Sequence, residues 1–312
     1  MTRPPDIGAM LGSGDVTTFL GLPASLPAEV PAGAAAVLGA DTATPYASVG
    51  AYCAGAPEAI RRAMAAYASG IGHHDFDLGG PLLPAGSVAV DCGDVTISDD
   101  AAANRAAIRA ACGAVLDGGG VPVLLGGDDS VPLPLIEALA ARGPLAILQI
   151  DAHIDWRDEV GGERHGLSST MRRASETDGV GPIVQVGQRG VGSARPADEA
   201  DARLAGVILV PARDLHRDGL GAALAAIPAG ARVLVALDVD ALDPSVMPAV
   251  IGPTPGGLGY WQVIDLIHGV ATRARIAAFS CVELMPARDR DGLSALTAGR
   301  IVANAIGAIA RA

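Results

Sequence analysis

The chain is a succession of short apolar runs separated by glycine-bearing polar stretches and by segments of helical length. Eight runs read as strands: 34–39, 87–90, 121–125, 145–150, 182–186, 207–210, 233–237 and 276–282. Between them, alanine- and leucine-rich stretches at 57–68, 100–116, 133–141, 168–175, 197–204, 260–270 and 293–309 read as helices. Strand and helix alternate along one chain, which predicts a single α/β domain over residues 1–312, a three-layer αβα sandwich around a mainly parallel sheet of about eight strands. Residues 1–31 carry Pro4, Pro5, Pro23, Pro27 and Pro31 around an apolar patch at Phe19 and Leu20. They predict an arm that wraps the domain or a neighbouring subunit.

Two of the apolar runs end in charged residues. The run 145–150, interrupted only by Gln149, continues into Asp151, Ala152, His153, Ile154 and Asp155. Side chains alternate along an extended chain, so Asp151, His153 and Asp155 point one way while Ala152 and Ile154 turn into packing. Two carboxylates and an imidazole converging on one point suit a divalent cation, because the like charges would otherwise repel and take up protons. The run 233–237 has the same construction, with Asp238 and Asp240 sharing a face at its end. The strand 121–125 runs into Gly126, Gly127, Asp128, Asp129 and Ser130. A phosphate loop begins in this way, but the GxxxxGK[ST] pattern is absent; glycines for a sharp turn and an Asp at a helix N-terminus account for it as well.

Composition narrows the partners. A net charge of −12 with no Lys/Arg cluster argues against nucleic acid. No apolar stretch is long enough to span a membrane, and the N-terminus lacks a signal core. Cys53, Cys92, Cys112 and Cys281 have no CxxC spacing and read as reduced thiols, so a cytoplasmic location is expected.

Five blocks in order, GGDDS at 126–130, DAHID at 151–155, HG at 165–166, LDVDALDP at 237–244 and VELMPARD at 282–289, resemble the ureohydrolases, the family of arginase and agmatinase, with the agmatinase branch most similar. The resemblance implies two Mn²⁺ ions sharing a hydroxide, with Ni²⁺ or Fe²⁺ as alternatives, and hydrolysis of a small guanidino compound to an amine and urea. It implies that Asp151 and Asp238 bridge the metals, that Asp155 completes one site, and that His153 and Asp240 complete the other. His165 is implied as proton shuttle and Glu283 as the carboxylate that holds the guanidinium. A homo-oligomer, trimer or hexamer, is implied as well.

One position departs from the family pattern. Where the family has the histidine of GGDHS, this chain has Asp129. That substitution assembles five carboxylates around two divalent ions, which should bind hard cations more firmly and raise the pKa of the water between them. Agmatine is the default substrate by resemblance. The alternatives are a guanidino acid or small alkylguanidine and a non-catalytic partner subunit that keeps the fold. An arginine facing the substrate tail would favour a carboxylate and an acidic residue an amine; Arg157, Arg164 and Arg189 are candidates. His165 could equally be an exposed loop histidine, and Glu283 could pair with Arg288.

Overall fold

The computed structural model describes residues 7–312, so Pro4 and Pro5 of the expected arm lie outside the described residues. All eight expected strands form: β1 (Ala35–Ala40), β2 (Ala89–Asp94), β3 (Val121–Gly126), β4 (Leu145–Ile150), β5 (Val180–Val186), β6 (Ile208–Val210), β7 (Arg232–Asp238) and β8 (Arg275–Val282). Their order across the sheet is β2-β1-β3-β8-β7-β4-β5-β6, and every neighbouring pair is parallel. All strand ends of one kind therefore lie along one edge, where ligand sites of open parallel sheets form.

Both faces of the sheet are covered, which is why its central strands are apolar almost throughout. In β7, Val233, Val235 and Leu237 pack on one side, with Ile264 and Ile267 of helix Tyr260–Arg273 and Ile301 and Val302 of helix Leu293–Ile309. Leu234 and Ala236 face the other side, with Ile108 of helix Ala101–Asp117 and Leu135 of helix Pro132–Ala140. No helix among the described residues is long and apolar enough to cross a membrane.

The helix expected at 57–68 is shorter, Ala56–Ala65, followed by a 3₁₀ turn at Ala68–Gly70. The hydroxyl of Ser13 donates to the Ala66 carbonyl (2.9 Å) and that of Ser69 to the Leu11 carbonyl (2.9 Å), so this segment bonds to the N-terminal residues instead of extending the helix. Phe19 and Leu20 are buried in the core. The Phe19 amide donates to Asp91 Oδ2 (2.7 Å) at β2.

The same carboxylate takes both arms of Arg61, Nε to Oδ2 at 2.8 Å and Nη2 to Oδ1 at 2.9 Å, and Arg61 also reaches Asp94. Arg61 and Asp91 are both buried, so removing one partner strands a charge. Arg61→Met should cost about 3 kcal/mol of stability. Urea unfolding measures it, and a loss below about 1 kcal/mol would mean that the pair does not anchor these segments.

Candidate metal centre

Four strands adjacent at the centre of the sheet, β3, β8, β7 and β4, each end in acidic residues. β3 leads to Asp128 and Asp129, β8 to Glu283, β7 to Asp238 and Asp240, and β4 to Asp151, His153 and Asp155. Parallel register thus gathers four segments far apart in sequence. Ligand atoms of Asp129, Asp151 and Asp238 lie within 4.8 Å of one another, and so do those of Asp151, His153 and Asp240. Asp155 lies against Asp129 and Asp151.

The turns that hold these residues are tight. Gly127 passes so close to β1 that a Cβ there would lie 1.7 Å from the Asp41 carbonyl oxygen, which only glycine permits. Asp155 and Glu283 adopt left-handed backbone conformations, φ 45° and 70°. Such conformations cost on the order of 1–3 kcal/mol each for a residue with a side chain, and surrounding bonds must hold them. The Glu283 amide donates to the Gly127 carbonyl (2.7 Å), and the Asp155 carbonyl accepts from the Arg172 amide (3.1 Å).

Six carboxylates at this edge, those of Asp129, Asp151, Asp155, Asp238, Asp240 and Glu283, are buried. Burial, reinforced by neighbouring carboxylates, raises the pKa values of Asp129, Asp155 and Asp238 well above the usual range and raises that of Asp151. Asp240 moves the other way: burial opposes its charge, but His153 Nδ1 lies 3.1 Å from Asp240 Oδ2 and holds the carboxyl down. Burial likewise opposes charge on His153, yet hydrogen bonds to Asp151 and Asp240 push it up to about 12. Asp129 Oδ2 is buried with no hydrogen-bond partner. An acceptor in that condition beside other acidic oxygens is short of positive charge.

Glu283 faces the same cavity. Its pKa is pushed up to about 8 by burial and by Asp128, against hydrogen bonds from the Tyr52 hydroxyl and the Asp129 amide. The Tyr52 hydroxyl lies 2.7 Å from both carboxylate oxygens, and the Asp129 amide lies 2.9 Å from Oε1. The alternative pairing with Arg288 does not occur, since that guanidinium donates to the carbonyls of Val250 and Ile251. His165 does not line the cavity, although Leu167 and Ser168, two and three residues further on, do. It is partly exposed on the loop and sits 3.3 Å from Glu163 Oε1 through Nδ1.

The cavity, about 240 Å³, is also walled by Trp156, Arg157, Ser193, Asp198 and Ile251. Its size admits a small molecule. Asp128 accepts from Thr42 and Ser130, and Asp243 accepts from Ser245 and the amides of Gly256 and Gly257, so both hold turns. Tyr52, Asp198 and Gln185 are contributors that sequence reasoning missed. Gln149 carried a visible signal, as the one polar residue in its strand and two positions before Asp151.

Comparison with known proteins bears on this arrangement. The model of the arginase family matches residues 34–307. An N(1)-aminopropylagmatine ureohydrolase of Thermus thermophilus is 41% identical over 189 residues, 59% of this chain and 61% of that relative, so the match spans about three fifths of the relative's length. A formimidoylglutamase of Halobacterium salinarum is 32% identical over 261 residues, 80% of this chain and 79% of its own. Among solved structures, a proclavaminate amidino hydrolase of Streptomyces clavuligerus superposes with a TM-score of 0.81 at 26% identity, covering 96% of this chain and 98% of its own. With its parallel sheet, its acidic strand ends and a match over nearly the whole domain, this chain belongs to the arginase family.

Proposed function

We propose that this protein is a metal-dependent amidinohydrolase that cleaves a guanidino compound to an amine and urea. The observation that carries this reading is the acidic cluster itself, with the unpartnered Asp129 Oδ2 buried in the same cavity as Glu283. Asp129, Asp151, Asp155, Asp238, Asp240 and His153 would hold two cations. Five carboxylates and one imidazole are a hard donor set that suits Mn²⁺ better than Zn²⁺, with Ni²⁺ and Fe²⁺ as alternatives. When bound, the pair would lower the pKa of water and so supply a nucleophile for the guanidinium carbon.

The chain's own residues would do the rest. Glu283 would accept paired N–H bonds from a guanidinium, matching a planar fork to a carboxylate, while the Asp129 amide holds Oε1 in position. His165, on the loop that leads into the cavity wall, would carry protons between the leaving amine and solvent.

Agmatine is the default substrate by resemblance, and the names of relatives support a guanidino compound in general. One observation favours the second reading, a guanidino acid. Arg157 and Asp198 both line the cavity, and Asp198 is already held by Arg195, Nε to Oδ2 at 2.7 Å and Nη2 to Oδ1 at 3.0 Å. Arg157 Nε is 3.5 Å from Asp198 Oδ2. One carboxylate shared by two guanidinium groups leaves positive charge at that wall, where a carboxylate tail fits better than a second amine.

Urea release from agmatine, guanidino acids and small alkylguanidines tests both readings. Two equivalents of bound metal with no urea from any of them would indicate a non-catalytic member and end the proposal. If the guanidino acid is preferred, Arg157→Gln should raise its KM roughly tenfold and leave agmatine nearly unaffected, as expected for loss of one charge-assisted contact.

Removing one carboxylate of the five tests the charge argument. Asp129→His should shift the pH optimum of urea release downward, because fewer anions surround the activated water. A rate profile with an unchanged or higher optimum would reject it.

Metal binding should also appear as linkage to protons. Asp129, Asp155 and Asp238 have folded pKa values above the unfolded value of about 3.9. Without cations, the stability they contribute is fully present below that value and is lost as pH rises through the folded ones. The rise in Tm on adding Mn²⁺ should therefore be largest near neutral pH and shrink toward roughly pH 4. Thermal scans across that range measure it, and a rise that grows on acidification would contradict the assignment of these carboxylates.

A further inference from the structure

Beneath the acidic cluster lie two side chains that no part of the proposed chemistry uses. Gln149 of β4 and Gln185 of β5 are register partners in neighbouring parallel strands, and both are buried. Gln185 Nε2 lies 2.8 Å from the Ile154 carbonyl, which can only accept, so this contact fixes which end of the Gln185 amide is nitrogen. The same nitrogen also donates to Gln149 Oε1. Gln149 must then present its nitrogen on the other side, where Nε2 lies 2.6 Å from Asp151 Oδ2 and 2.7 Å from Asp155 Oδ2. The reverse orientation would set the amide oxygen against two carboxylate oxygens and leave all of them without a hydrogen.

We propose that Gln149 and Gln185 are positioning residues: Gln185 locks the Gln149 amide so that its two N–H groups hold Asp151 and Asp155 for cation binding. The arrangement also secures the backbone, because Ile154, whose carbonyl Gln185 holds, precedes the left-handed Asp155. A neutral double donor suits this position. It orders two carboxylates without bringing a cationic side chain that would compete with the metals, and partners of this kind typically account for 10- to 100-fold in metal affinity.

This inference rests on the metal-binding reading of the cluster, and direct titration separates the two. Mn²⁺ is titrated into metal-stripped protein by calorimetry, with the low-temperature EPR signal of bound Mn²⁺ as a second readout and the denaturation midpoint of the metal-free protein as a control. Gln149→Met, which keeps length but donates nothing, should weaken Mn²⁺ binding roughly 10- to 100-fold. Gln185→Met should weaken it too, because the Gln149 amide is then free to turn over. Gln149→His, retaining one N–H, should fall between wild type and Gln149→Met, and it supplies the reading if the methionine variant does not fold. Wild-type affinity and EPR signal in the variants, with only a lowered denaturation midpoint, would overturn the inference while leaving the metal site intact. A wild-type protein that binds no Mn²⁺ would overturn the metal reading and this inference with it.

Discussion

Carboxylates crowded together and removed from water are the constraint around which this molecule is arranged. Each of Asp129, Asp151, Asp155 and Asp238 is held at higher energy when charged than it would be in solvent, first by burial and then by its neighbours. Such a cluster persists because the framework is strong enough to impose it, and it is relieved by taking up protons or a cation. The framework is the centre of an eight-stranded parallel sheet, covered on both faces, whose strand tips cannot drift apart without breaking the ladder.

The same crowding explains the local strain. Asp155 and Glu283 sit in backbone conformations that residues with side chains avoid, and both are at the cluster. The glycine at position 127 lets the β3 turn come against the β1 end, so that the Asp129 amide reaches Glu283. Stability is therefore spent locally on geometry and recovered from the apolar layers behind it.

Charge at the far wall of the cavity has a different logic. Asp198, Arg157 and Arg195 come from the loop after β4 and from the helix Pro196–Leu204 with its preceding residue. Asp198 and Arg195 lie outside the sheet edge, apart from the acidic cluster.

Much of this was written in the chain as periodicity. The alternation expected through 151–155 stops where β4 ends at Ile150, with Asp155 at φ 45°, but apolar runs set eight strands and five motif blocks in order marked the family. Those features depend on neighbours in sequence, and local backbone geometry alone dictates them. The tertiary structure decided what sequence separation hides: Tyr52 meets Glu283 across 231 positions, Asp198 pairs with Arg157, and Gln185 turns the Gln149 amide from a neighbouring strand. Strand order and register bring these groups together, and neither is encoded in any short stretch, because it results from how all eight strands and both helical layers pack at once.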